Sequence, residues 1–268
     1  MKFLHLSDTH LRRDYASDWF TRRIFNSSDN PSLRFRQILQ SIDPRDYDFA
    51  LVTGDLVHEG QAEDYHLFRE IMDQELGGLP YFVCRGNHDQ PQAFFDGMDF
   101  QANETLTYAA CHEINGLQII SLDTAQEDSH EGRISQDQMD LLAKWLDQAG
   151  DQGSILLMHH PLIWEEEEVC SQVPQGFEDL IAKHKIHGIF VGHVHTASTV
   201  SYHGTTQYMS EAISFGVDEY PDESIFVNRT GYNTVTLEGD QVFYYRHYVT
   251  PQQTMIARMS KPFDNSIF

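Results

Sequence analysis

Five times in this chain a short apolar run of β-forming residues ends abruptly in a cluster of metal-ligand side chains. Lys2-Phe3-Leu4-His5-Leu6 ends in Ser7-Asp8-Thr9-His10, and Phe49-Ala50-Leu51-Val52-Thr53 ends in Gly54-Asp55. Tyr81-Phe82-Val83-Cys84 leads to Arg85-Gly86-Asn87-His88-Asp89, and Ile155-Leu156-Leu157-Met158 to His159-His160-Pro161. The last, Ile186-His187-Gly188-Ile189-Phe190-Val191, leads to Gly192-His193-Val194-His195. Each run reads as a buried strand delivering polar groups to a loop at a sheet edge. Together they aim five clusters at one place, with Asp55 in its middle and bridging two metal ions.

The segments between these runs fix the class. Residues 11–31 are polar and irregular with scattered aromatics, which predicts a loop with one short helix near the site entrance. Ser32 stands as an N-cap before Leu33, Phe35, Ile38, Leu39 and Ile42, an amphipathic helix ending before Pro44. Tyr65, Leu67, Phe68, Ile71, Met72 and Leu76 recur at helical spacing after Gln61, and Gly77-Gly78 stops them. Strand, helix, strand, helix, strand is the order of βαβ crossovers, which build parallel sheets with ligands at the carboxyl ends of the strands. Residues 105–114 and 117–122 flank Asn115-Gly116, a strong hairpin signal, so the sheet becomes mixed here.

Ser135 begins a helix carrying Met139, Leu141, Leu142, Trp145 and Leu146, and a further helix runs from Phe177 to His184. Glu165-Glu166-Glu167-Glu168 reads as a solvated loop, because like charges prefer solvent. The remainder is strand-rich: residues 199–202, 206–209, 232–237 and 242–248, with Glu238-Gly239-Asp240 as a hairpin turn. No linker divides residues 1–250, which are expected to form a single domain. The tail, 251–268, shows no clear period and is expected to pack on the body or on the neighbouring subunit of a homodimer.

Composition narrows the function classes. A formal net charge of −23 argues against a nucleic-acid polymer as partner, since phosphate-backbone affinity comes from Lys and Arg. No apolar run reaches the length of a membrane span, and the start lacks the apolar core of a signal peptide. Cys84, Cys111 and Cys170 are scattered, with neither a disulfide framework nor a zinc-ribbon spacing. These features predict a cytoplasmic protein with no membrane partner. Of the 15 histidines, His10, His88, His159, His160, His193 and His195 lie in the clusters at strand ends, where a surface role explains them poorly.

First-row divalent ions accept imidazole nitrogen and carboxylate oxygen together. In Asp8-Thr9-His10 the i, i+2 spacing on an extended segment would turn both side chains to one side, and His193-Val194-His195 repeats it. One such pair alone is a weak signal. All five clusters in order, Asp-x-His, Gly-Asp, Gly-Asn-His-Asp, His-His-Pro and Gly-His-x-His, are a strong one.

On these motifs, over roughly residues 1–250, the sequence resembles the calcineurin-like metallophosphoesterases. It is most similar to the bacterial class III cyclic-nucleotide phosphodiesterases and glycerophosphodiesterases. Ser121-Leu122-Asp123-Thr124, and Gly132-Arg133-Ile134-Ser135-Gln136-Asp137-Gln138 before a Trp-containing helix, carry the tighter match. The resemblance implies an α/β fold, a four-layer αββα sandwich of two mixed β-sheets flanked by helices, with the metal centre at the carboxyl ends of the strands. It implies two divalent ions (Mn, Fe or Zn): Asp8, His10 and His195 on one, Asn87, His159 and His193 on the other, and Asp55 bridging. It makes His88, with Asp55, catalytic, and puts Asn87, His88 and His195 against the substrate. His160 is then a supporting residue, and Asp89 is placed to orient His88.

Two divalent ions bring four positive charges and Asp8 and Asp55 return two, leaving the pocket at about +2. Distant carboxylates are screened beyond ~8 Å, so a very acidic chain can still take a small anionic phosphoester. A hydroxide shared by the ions would attack phosphorus in line, so hydrolysis of a phosphodiester, cyclic or linear, is the expected reaction. Gly54-Asp55-Leu56-Val57-His58-Glu59 lacks the Asp-Arg-Gly continuation of protein serine/threonine phosphatases, which argues against phosphoprotein substrates. Leu162-Ile163-Trp164 and the glutamates stand where the cyclic-nucleotide group has a second proline and a Gly-containing stretch. That departure keeps glycerophosphodiesters and broad phosphomonoester hydrolysis as alternatives, ahead of a nuclease or a non-enzymatic scaffold.

Overall fold

A strand that is apolar at every position has two faces to bury, and the protein buries both. The structure, a computed structural model, describes residues 1–16, 19–25, 29–126, 129–249 and 254–261. The first half contains β1 (Lys2–Leu6), α1 (Trp19–Ile24), α2 (Pro31–Gln40), β2 (Phe49–Thr53), α3 (Ala62–Leu76), β3 (Tyr81–Cys84) and α4 (Pro91–Met98). Next come β4 (Ala110–Ile114), β5 (Leu117–Ser121), β6 (Gly132–Arg133), α5 (Gln136–Asp147), β7 (Ser154–Leu157), β8 (Ser171–Gln172), α6 (Phe177–Lys183) and β9 (Ile186–Val191). The chain closes with β10 (Ser198–Tyr202), β11 (Thr205–Met209), β12 (Gly216–Glu219), β13 (Glu223–Val227), β14 (Gly231–Glu238), β15 (Gln241–Tyr248) and β16 (Met255–Ser260).

Two large mixed sheets carry the molecule. One has the order β15-β14-β1-β2-β3 and the other β10-β11-β9-β7-β5-β4. In the first, β1, β2 and β3 are parallel and β14 and β15 antiparallel; in the second, β5, β7, β9 and β11 are parallel. Alternate residues of each strand face opposite layers. Phe3, Phe49, Leu51, Ile119, Ile155, Leu157 and Phe190 meet between the sheets. Leu4, Leu6, Ala50 and Val52 turn outward onto Phe35, Ile38, Phe68 and Ile71 of α2 and α3. Ile120, Leu156, Ile189 and Val191 turn onto Leu142, Leu146, Phe177 and Ile181 of α5 and α6. The result is a four-layer αββα sandwich.

Local signals explain the boundaries and some corrections. The cap of α2 is Asn30, whose side chain accepts from Leu33 N–H with Pro31 at the first helical position, not Ser32. Ser135 caps α5 by accepting from Gln138 N–H. Asn115 and Gly116 both have positive φ (50° and 83°) in the β4–β5 turn, but pairing begins only at Ala110 rather than at Thr105. The four glutamates 165–168 are exposed. The tail, expected to lack a period, forms β16 on β13, while its residues 251–253 and 262–268 lie outside the described residues. Of the 11–31 stretch, residues 17–18 and 26–28 also lie outside; the rest contains α1, and its Phe20 stacks on His58 at 5.2 Å. Among the described residues no helix is long and apolar enough to cross a membrane.

Two buried polar networks brace the strand ends. Arg85 Nε donates to Asp123 Oδ2 at 2.9 Å, and its other nitrogens donate to the carbonyls of Asp89 and Ala125. This ties the Asn87-His88 loop to the loop after β5. Replacing Arg85 with Met leaves Asp123 buried without its cation, and should cost about 3–5 kcal/mol in urea unfolding.

Between the sheets His5 is fully buried, with Nδ1 3.0 Å from Tyr244 Oη and Nε2 3.0 Å from Thr53 Oγ1. Thr53 Oγ1 donates to Ser7 Oγ, and Ser7 Oγ to Asp8 Oδ2, so hydrogen bonds run unbroken from the interior to Asp8. Burial pushes His5 down to about 3, whereas in the unfolded chain it takes its proton near 6.5. Stability should therefore fall as pH drops below 6.5, by about 2 kcal/mol at pH 5 from this residue alone. Urea melts in chelator at pH 7 and pH 5 check this: the pH difference should shrink in His5→Asn.

Candidate metal centre

The carboxyl ends of β1, β2, β3, β7 and β9 converge, and hydrogen bonding continues past the strands into their loops. Asp8 N–H donates to Gly54 O at 3.2 Å, His10 N–H to Asp55 O at 2.9 Å and Leu11 N–H to Leu56 O at 3.0 Å. The i, i+2 pairs are not extended, as the spacing had suggested. Asp8, His10, Asp55, His193 and His195 hold φ values of 52°, 46°, 48°, 74° and 55°, the left-handed region that L-residues avoid. Side chains converge because the backbone turns sharply at each of them. Gly54, with φ of 81°, admits the His159 ring so closely that a β-carbon there would lie 2.5 Å from its Nδ1.

Asp8, His10, Asp55 and His195 are buried and each offers a ligand atom within 4.8 Å of the others. His10 Nε2 lies 3.2 Å from His195 Nε2 and 3.4 Å from Asp55 Oδ2, and His195 Nε2 lies 3.4 Å from Asp8 Oδ1. The distal nitrogens are set by what the other nitrogen does. His195 Nδ1–H donates to Phe215 O at 2.7 Å, and His10 Nδ1 faces His58 Nδ1 at 2.9 Å, so both rings turn Nε2 inward. Two imidazole lone pairs and two carboxylates packed together repel unless a cation lies among them. The donor set fits a divalent ion.

A second group adjoins the first through Asp55. His159 Nδ1–H donates to Thr53 O at 2.7 Å, and its Nε2 lies 3.3 Å from Asp55 Oδ2 and 3.1 Å from Asn87 Oδ1. His159, His160 and His193 offer ligand atoms within 4.8 Å of one another. A single carboxylate oxygen, Asp55 Oδ2, thus stands between His10 and His159. Burial alone would lower His159, but Asp55 beside it lifts it to about 9, which marks a place built for positive charge. Burial holds His10, His160 and His193 well below the ordinary imidazole value, leaving them neutral.

His88 donates its backbone N–H to Asp55 Oδ1 at 2.9 Å and stacks its ring on His58 at 4.5 Å. Burial would lower it, but Asp55 and then Glu59 raise it above the usual value. The acid facing its ring is Glu59, with Oε1 3.5 Å from Nδ1, and not Asp89. Asp89 points inward instead, accepting from the N–H groups of Leu56, Val57 and Gly86 and from Tyr65 Oη. It fastens the Asp55 loop to the Asn87 loop. Sequence reasoning passed over His58, which backs both His10 and His88, and His130, whose Nδ1 lies 3.2 Å from Asn87 Nδ2. His58 carried a signal, three residues after Asp55; His130 follows no motif.

A sequence model of the calcineurin-like phosphoesterases matches residues 1–197. The chain is 28% identical over 214 residues to the 3′,5′-cyclic adenosine monophosphate phosphodiesterase CpdA of Haemophilus influenzae, covering 76% of this chain and 73% of that protein. It is 28% identical over 211 residues to a probable glycerophosphodiester phosphodiesterase, GpdQ, of Arcobacter nitrofigilis, covering 74% and 73%. Among solved structures, a dimetal phosphatase from Danio rerio superposes with a TM-score of 0.58 at 11% identity, over 84% of this chain and 95% of that one.

Proposed function

The chain belongs to the calcineurin-like phosphoesterase family, and from that premise we propose that it hydrolyses small phosphodiesters, cyclic nucleotides first among them, at a two-ion centre. The observation that carries this reading is the place of Asp55 Oδ2, 3.4 Å from His10 Nε2 and 3.3 Å from His159 Nε2, with an imidazole on either side. We assign Asp8, His10 and His195 to one ion, Asn87, His159 and His193 to the other, and Asp55 to both. The mixed nitrogen and oxygen donors suit Mn, Fe or Zn. Bound there, two such ions would activate a water near neutral pH and offset charge on the phosphoryl oxygens.

The chain's own residues do the rest. Asn87, His88 and His195 line the face on which a phosphate would rest. Asp55 and Glu59 raise the His88 imidazole above its ordinary value, which favours its cationic form, the form that can donate to the leaving oxygen or hold its charge. A cavity of about 480 Å³ includes Val194 and Thr196, which flank His195, and Trp164, Tyr220, Glu165 and Glu166. Three free cysteines fit a reducing, cytoplasmic compartment, and a homodimer remains part of the reading.

Likeness to a cyclic adenosine monophosphate phosphodiesterase and to a probable glycerophosphodiester phosphodiesterase supports phosphodiesters over monoesters. Hydrolysis of bis-p-nitrophenyl phosphate by purified protein with Mn²⁺ tests the reaction, and no turnover with any of Mn²⁺, Fe²⁺ or Zn²⁺ overturns it. Side-by-side kcat/KM values on cyclic AMP, 2′,3′-cyclic nucleotides, glycerophosphodiesters and p-nitrophenyl phosphate rank the substrates. Cyclic AMP is expected first and the monoester last.

A further inference from the structure

His160 is fully buried, beside the proposed ligand His159, and the reaction described above gives it no task. Its ring centroid lies 4.3 Å from that of His193 and 4.9 Å from that of His159. Its Nδ1 lies 2.8 Å from Thr124 Oγ1. Its Nε2 is buried and has no hydrogen-bonding partner among the described residues. A buried ring nitrogen without a partner is costly, because the desolvation of that atom is not offset. The position is nevertheless enforced. Gly132 of β6 passes so close that a β-carbon there would lie 2.5 Å from His160 Cβ, and Ser171 Oγ donates to His160 O.

We propose that His160 is a further imidazole ligand, binding through Nε2 the ion assigned to Asn87, His159 and His193. With Nδ1–H donating to Thr124 Oγ1, the lone pair is on Nε2, the arrangement by which a polar neighbour fixes the tautomer of a ligating histidine. One ligand atom from each of His159, His160 and His193 falls within the 4.8 Å that a single ion spans. The inference rests on the two-ion reading, and extends it. Three imidazoles make this position richer in nitrogen than the Asp8 position, and imidazole favours Zn²⁺ or Fe²⁺ over Mn²⁺.

The test uses the intact chain loaded with Co²⁺. Each ligating histidine contributes one hyperfine-shifted, exchangeable imidazole N–H resonance to the proton NMR spectrum. His160 as a ligand gives one resonance more than His10, His159, His193 and His195 supply. Its absence from wild-type protein that holds two Co²⁺ overturns the proposal, and no variant is needed for that result. In His160→Gln the extra resonance should vanish, the second-ion Kd for Zn²⁺ should rise by about tenfold or more, and the Zn²⁺-over-Mn²⁺ preference should shrink. Loss of affinity without loss of a resonance makes His160 a positioning residue and refutes ligation. Turnover of bis-p-nitrophenyl phosphate by the wild type is measured in parallel. Wild type that binds fewer than two ions and shows no turnover sinks the phosphoesterase reading itself, which is a different failure.

Discussion

Replacing Asp55 by Asn is expected to lower kcat on bis-p-nitrophenyl phosphate by about 10³-fold or more, with Asp55→Ala at least as severe. One preorganised group aimed at developing charge is worth about 10²–10³ in rate, and a residue shared by two ions serves both at once. Asparagine keeps the shape and removes the negative charge that lies 3.3–3.4 Å from His159 and His10. The ions then meet neutral donors with Asp8 as the remaining carboxylate among the proposed ligands. At least 4 kcal/mol of transition-state stabilisation, about 10³-fold, goes with it. Steady-state kinetics and metal content per chain check the result, with far-UV circular dichroism as the control for folding. A variant that keeps both ions and turns over within tenfold of wild type would remove Asp55 from the centre of the mechanism.

His88→Ala should lower kcat by about 10²–10⁴, the range of a positioned general acid, while both ions stay bound. The retention of metal follows from the geometry. His88 reaches Asp55 through its backbone N–H, which alanine keeps, and its ring stacks on His58 rather than entering either donor group. The size of the loss should depend on the leaving group. A proton donor matters little to p-nitrophenolate and greatly to the ribose oxygen of cyclic AMP, whereas a purely electrostatic group would affect both alike. Equal losses on the two substrates would assign His88 to charge stabilisation.

The five strands were readable because burial on two faces demands runs of apolar residues, as in Phe49 to Val52. Their ends were readable because ligand chemistry uses few residue types. What the sequence concealed has physical causes. The convergence of Asp8 with His10 comes from left-handed backbone, which leaves no mark in an Asp-x-His spacing. Strand β16 is half exposed and, among the described residues, pairs only with β13, so no alternation of apolar and polar residues announces it. Helix α4 is one stretch of 8 residues with Phe94, Phe95 and Met98 buried, too brief for its period to register. Asp89 was placed beside His88 by sequence proximity, but three backbone N–H groups and Tyr65 hold it the other way.

The left-handed residues at the strand ends have a dynamic corollary. Each of Asp8, His10, Asp55, His193 and His195 costs on the order of 1 kcal/mol relative to relaxed backbone, which ions bound by the proposed ligands would offset. Chelation should therefore let the rim breathe as one cooperative unit, with amides at 8–11, 54–58 and 192–195 exchanging together while those of β1, β2 and β9 stay protected. Uptake of metal would then register as a quieting of that rim, visible by hydrogen exchange in protein given no substrate at all.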